Sequence, residues 1–120
     1  MNNILDIELH MKSFSDAFIL EARKEKWTGL LCERPNNISL QSSKLFNHLD
    51  HNRIEQNDSL KNVAPYDAVG VFYDFNHNPK CISFKDAINE GRSQDALFSI
   101  NPGELAVCFF HDGWNFVCKR

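Results

Sequence analysis

Two imidazoles three residues apart, in His48-Leu-Asp-His51, are the closest this sequence comes to a metal site. On a helix that spacing brings both rings to one side, near enough to share an ion. Asp50 projects roughly 100° away per helical position, and no thiolates stand nearby at the spacing of a four-ligand zinc site. The pair therefore reads as two solvated helix histidines. Asp74-Phe-Asn-His-Asn78 opens like a calcium loop, but Pro79 stands where such a loop needs a free glycine. Lys85 occupies the position of the bidentate glutamate. An Asn-rich turn between two strands explains the same residues without an ion.

Cysteine chemistry is no better supported. In Cys108-Phe-Phe-His111 the two side chains are three apart on a strand pattern and so face opposite sides, where the imidazole cannot take the thiol proton. His77 and Cys81, four residues apart across a turn, could touch. A reactive thiolate wants electropositive surroundings, however, and this half of the chain is acidic. The four cysteines (32, 81, 108 and 118) show no CxxC spacing and sit in apolar strand-like stretches, as free buried thiols do. There is no G-x-G-x-x-G, Walker loop, G-x-S-x-G or HExxH. No metal and no cofactor is implied, and the balance favours a binder over an enzyme. If the chain is instead a small enzyme or ligand-binding domain, His48, His51, His77 and Cys81 are the residues expected to line its pocket.

A protein-binding surface is the remaining constellation. Tyr66, Asp67, Tyr73, Asp74, His111, Asp112 and Trp114 fall at strand ends or turns, and aromatic anchors beside carboxylates suit a basic partner. Asp67, Tyr73, Asp74, Asp112 and Trp114 are the expected contacts, although Trp114 directly after a hairpin turn also fits cross-strand packing. Net charge is −3 over 120 residues, and residues 67–118 hold seven acidic against three basic side chains. Such a surface repels phosphate backbones, which argues against direct nucleic-acid binding and leaves room for a cation-rich protein.

These residues need elements to hold them. Asp112-Gly113 suits a two-residue type I′ turn between Glu104–His111 and Trp114–Lys119. That register sets His111 opposite Trp114, Phe109 opposite Phe116 and Val107 opposite Cys118, with Cys108 and Cys118 on opposite faces. Both faces of the hairpin are apolar, so it belongs inside a sheet covered on two sides. Leu5, Ile7, Leu9 and Met11 alternate with polar residues, which reads as a first strand; a single helix over 3–26 competes with it. Ser13-Phe-Ser-Asp16 resembles a capping box ahead of a helix over Phe14–Lys26. Trp27–Cys32 reads as a strand, Ser39–Asn52 as a second helix and 51–65 as a mobile loop. Ala68–Tyr73 and Lys80–Phe84 are strands around an Asn-rich turn. Ser83 caps a short helix through Asp86 that Gly91 ends, and Ser93–Phe98 is a further helical turn.

The expected fold is α+β in one domain: a single mixed or antiparallel sheet of five or six strands, with two main helices mainly on one face. The longest uninterrupted apolar run is Leu105–Phe110, and a membrane span needs about 20 apolar residues. With no signal segment at Met1–Asp6, the cytoplasm is the expected compartment. In size and composition the chain is similar to bacterial immunity proteins, which bind and block one toxin domain. That resemblance implies an inhibitor that masks a basic toxin or nuclease domain by occlusion.

Overall fold

A computed structural model gives the architecture. It describes residues 7–33, 49–56, 60, 62–74, 79–91, 95–110 and 115–120, and at 30–33 and 51 the backbone only. The fold is α+β, built on one antiparallel sheet of six strands: β1 (Ile54–Gln56), β2 (Val69–Tyr73), β3 (Lys80–Ser83), β4 (Ala96–Asn101), β5 (Leu105–Phe109) and β6 (Asn115–Lys119). Their order across the sheet is β1-β6-β5-β4-β2-β3, so the terminal hairpin lies in the interior, as its two apolar faces demand.

Helices α1 (Ile7–Phe18) and α2 (Lys24–Glu33) belong to one face, and α3 (Phe84–Gly91) to the other. On α1, His10, Met11, Phe14, Ala17 and Phe18 recur at spacings of three and four and form one buried stripe. That stripe meets Val71, Tyr73, Leu97, Ala106, Cys108 and Cys118. The expected first strand is therefore a helix. Alternation over Leu5–Met11 competes with a helical period through Ile7, Met11, Phe14 and Phe18, and the buried side also takes in His10, which is 3 % exposed with Nδ1 2.7 Å from Ser99 Oγ. The single helix over 3–26 fails too, because the chain leaves α1 at Ile19, pairs there with Leu49, and turns through a 3-10 segment at Glu21–Arg23.

Trp27–Cys32 is likewise helical, not a strand. Burial of Trp27 and a hydroxyl contact of 2.6 Å between Ser15 Oγ and Thr28 Oγ1 dock α2 onto α1. The second helix expected over Ser39–Asn52 falls largely outside the described residues; its last part is a 3-10 turn at His51–Arg53, where the Asp50 carboxylate accepts from the Asn52 amide. The stretch expected as a loop, 51–65, supplies β1 and the buried Leu60.

On the other face, Ser83 Oγ accepts from the Asp86 amide at 3.2 Å and starts α3, the cap expected from sequence. Phe84 and Ala87 of α3 pack onto Phe72, Phe98, Val107 and Phe109. The helical turn expected through Phe98 is replaced by β4, whose residues Ala96–Ile100 are all buried. β4 and β5 are joined by Asn101-Pro-Gly-Glu104, with φ +72° at Gly103 and the Glu104 amide donating to the Asn101 carbonyl. Proline and a positive-φ glycine at the two central positions are those of a type II turn.

The hairpin register differs by one residue from the expected one. Phe109 pairs with Asn115, Cys108 with Phe116, Val107 with Val117 and Ala106 with Cys118. Where both faces are apolar, a one-residue slip exposes nothing, so the hydrophobic pattern does not choose between registers. The adopted one brings the Phe110 and Phe116 rings to 5.1 Å, and it puts Cys108 and Cys118 on the same face.

Candidate functional site

The carboxylates of the acidic half sit on the elements between β2 and β5. Asp67 precedes β2 and Asp74 follows it, so they mark opposite ends of one strand. Asp86 and Glu90 ride on the outer side of α3, Asp95 leads into β4 and Glu104 closes the turn after it. Asp67, Asp86, Glu90 and Glu104 are exposed, and Asp74 and Asp95 half-buried. Only Asp86 and Glu90 lie on α3 itself; Asp67 and Asp74 mark the two ends of β2, and Glu104 borders Lys119 and Arg120, so the carboxylates do not form one flat patch. Two described lysines, Lys80 and Lys85, share these elements. Lys80 is committed locally: its ammonium binds the Glu90 carboxylate and lies 5.8 Å from the centre of the Phe72 ring. The Glu90 hydrogen bond, followed by the charges of Glu90, Asp74 and Asp86, pushes the Lys80 ammonium above its ordinary range.

Among the described residues, one large apolar side chain stands in the open on this side: Tyr66 is 48 % exposed, its ring edge-on to Phe84. Val69, 52 % exposed at the start of β2, shares the opposite face with Val71 and Tyr73. Val69 was hidden from sequence reasoning because its neighbours Gly70–Tyr73 are all buried, and nothing in the strand pattern marks where the cover stops. Asp86 and Glu90 were legible in principle, as the polar side of a helix whose Phe84, Ala87 and Gly91 are buried.

Among the expected contacts, Asp67 and Asp74 are where the sequence places them, beyond the two ends of a strand. Tyr73 is a correction: it is fully buried among the residues under α1, so it cannot meet a partner. Its place at a strand end predicts a surface position, but α1 covers it. Asp112 and Trp114 lie outside the described residues, as does His111.

Burial, aided by the adjacent Asp74 carboxylate, pushes the Tyr73 phenol well above its ordinary range. Since the folded value exceeds the unfolded one, the unfolded chain gives up this proton first, and stability falls as pH rises above about 10. In a Tyr66→Phe background Tyr73 is the only phenol left. Tyrosinate absorbance should then emerge together with loss of the folded circular-dichroism signal in an alkaline titration. A phenolate that forms while the chain stays folded would show the site to be wetter than the packing indicates.

The expected histidine–cysteine pocket is not assembled among the described residues. His48, His77 and the side chain of His51 lie outside them, while Cys81 is exposed on the edge strand β3, contrary to the buried thiol expected. No group of three or more His, Cys, Asp or Glu among the described residues is arranged to hold a metal ion. Among the described residues, two clefts stand out. One, of about 500 Å³, opens between the end of α1 and the 3-10 turn at His51–Arg53. Its charges answer one another, Lys24 to Asp16 at 3.9 Å and Glu21 at 3.6 Å, and Arg53 to Asp50 at 3.8 Å. The second, about 420 Å³, is bordered by Glu55, Glu104, Lys119 and Arg120. Neither carries a convergent set of catalytic groups.

The buried polar pair His10–Ser99 has its hydrogen bond inside the core, which is a packing arrangement and not an accessible dyad. No helix among the described residues is long and apolar enough to cross a membrane. No family model matches the chain, and no curated protein or solved structure matches it, so the functional reading rests on the geometry of this surface.

Proposed function

We propose that the chain is a protein-binding module whose acidic α3-bearing side docks on a cation-rich partner. Most specifically, it is an inhibitor of the immunity type that blocks a basic toxin domain, such as a nuclease, by occlusion. The observation that carries this reading is the charge imbalance on β2 to β5 and α3. Six described carboxylates (Asp67, Asp74, Asp86, Glu90, Asp95 and Glu104) stand on these elements with two described lysines, one of them held by Glu90. Lys119 and Arg120 of the neighbouring β6 end lie beside Glu104 alone among the six. Exposed Tyr66, its ring against Phe84 of α3, supplies the apolar contact that a charged rim alone lacks. Carboxylates spread around an edge raise the encounter rate with a cationic surface even where few of them touch it.

The test uses a panel of immobilised cationic nuclease domains and the whole chain in solution. For any domain captured, association should slow steeply between low and physiological salt, because charges beyond about 8–10 Å are screened there. Asp67→Lys combined with Asp86→Lys should slow association by about tenfold or more while leaving the thermal midpoint nearly unchanged. A complex whose association rate ignores both salt and the charge reversal would sink the proposal.

A further inference from the structure

We propose that Cys108 and Cys118 are a modification site: a peroxide oxidises the pair to a disulfide that joins β5 to β6. Both side chains are fully buried under α1, and their Sγ atoms are 4.0 Å apart, in van der Waals contact. The hairpin register puts them there. Cys108 stands opposite Phe116 and Cys118 opposite Ala106, so the thiols are diagonal neighbours on one face. Diagonal Cα atoms on paired strands are about 7–8 Å apart, whereas a disulfide spans at most about 7 Å. Closing the bond therefore needs about an ångström of backbone adjustment between β5 and β6, with Ala106 opposite Cys118 and the larger Phe116 opposite Cys108.

The chemistry balances with hydrogen peroxide as the oxidant. One thiol sulfur takes an oxygen from the peroxide, giving a sulfenic acid and a water. The second sulfur attacks that sulfur, the S–O bond breaks, and the oxygen leaves as water with the second thiol's proton. Two thiols thus give up two electrons, and one peroxide becomes two waters. Burial selects this oxidant over bulky disulfides of the glutathione class, because a molecule near the size of water needs a far smaller opening of the packed core to reach the pair. The hydrogen bond with Cys108, followed by burial, pushes the Cys118 thiol well above its ordinary range, so it rests uncharged. Reaction is accordingly slower than at Cys81, which is exposed on β3.

The experiment treats the folded whole chain, carrying Cys32→Ser and Cys81→Ser, with hydrogen peroxide and follows intact mass and thiol count. Expected is the loss of two hydrogens, simultaneous disappearance of both thiols, a peptide map linking 108 to 118, and full reversal by dithiothreitol. Cys118→Ala in the same background should instead gain oxygen at Cys108 and lose no hydrogens. If the double serine background fails to fold, the peptide map of the unsubstituted chain decides alone. Thiols that stay reduced after Cys81 of the unsubstituted chain is fully oxidised, or that gain oxygen separately without a link, would overturn the proposal.

Discussion

Phe98→Ala is expected to lower the unfolding free energy by about 4 kcal/mol, the range for a fully enclosed phenylalanine. Phe98 lies at the centre of the α3 face, fully buried, with its ring parallel to Phe84 at 5.8 Å and tilted against Phe72 at 6.5 Å. Phe84 starts α3 and Phe72 belongs to β2, so this ring couples helix and sheet. Its neighbours cannot collapse into the space left behind. Phe84 is fixed by the hydrogen bond of its amide to the Ala68 carbonyl, and Phe72 by ladders on both sides. The cost should therefore contain a cavity contribution besides the lost transfer energy. Urea unfolding would register it as a lower midpoint at unchanged slope. A loss below about 2 kcal/mol would mean that α3 settles onto the sheet without its central ring. Because Asp86 and Glu90 ride on α3, Phe98→Ala should also blur the acidic side, whereas the charge reversals leave the fold intact.

How much of this was legible depends on whether one period or two fitted the same residues. Val69–Tyr73 and Lys80–Ser83 stood out because β-branched and aromatic residues are bounded by turn formers. The start of α3 was visible for a local reason, since Ser83 and the Asp86 amide satisfy each other within one turn. The N-terminal segment was misjudged because Ile7, Leu9 and Met11 alternate while Ile7, Met11, Phe14 and Phe18 also recur helically. What decides between them is the sheet that buries His10 against Ser99, a contact 89 positions away along the chain. Trp27 is helical for a similar reason, being drawn in by α1 in spite of its weak local preference. The hairpin lies in the interior as expected, but its register is one residue from the expected one, and that difference brings Cys118 to the face of Cys108. For the candidate site, acidity survived the passage to three dimensions while its planarity did not. Asp67 and Asp74 share a strand yet mark its two ends, and Tyr73 beside Asp74 turned inward.

Gly70→Ala is the second large effect, and its size comes from a backbone contact that no side chain can relieve. A methyl group at Gly70 would collide with the carbonyl oxygen of Ser99 and stand 2.8 Å from the tip of the Phe98 ring. Ser99 pairs with Val71 and Phe98 with Phe72, so the clash falls within the ladder that joins β2 to β4. The ring can tilt, but the carbonyl moves only if the strands separate. A loss of about 3 kcal/mol is expected, at the upper end for overpacking, with the thermal midpoint down by roughly 10 °C. Alanine at Gly29, where no atom lies within 4 Å, should instead stabilise α2 by roughly 0.5–1 kcal/mol. Shortening the ring separates the two contributions: Gly70→Ala with Phe98→Leu should recover the part due to Phe98 and keep the part due to Ser99. Full recovery, measured by the double-mutant cycle, would assign the whole effect to the aromatic contact. A Gly70→Ala chain within about 0.5 kcal/mol of the parent would mean that β2 and β4 lie farther apart at this point than their shared register implies.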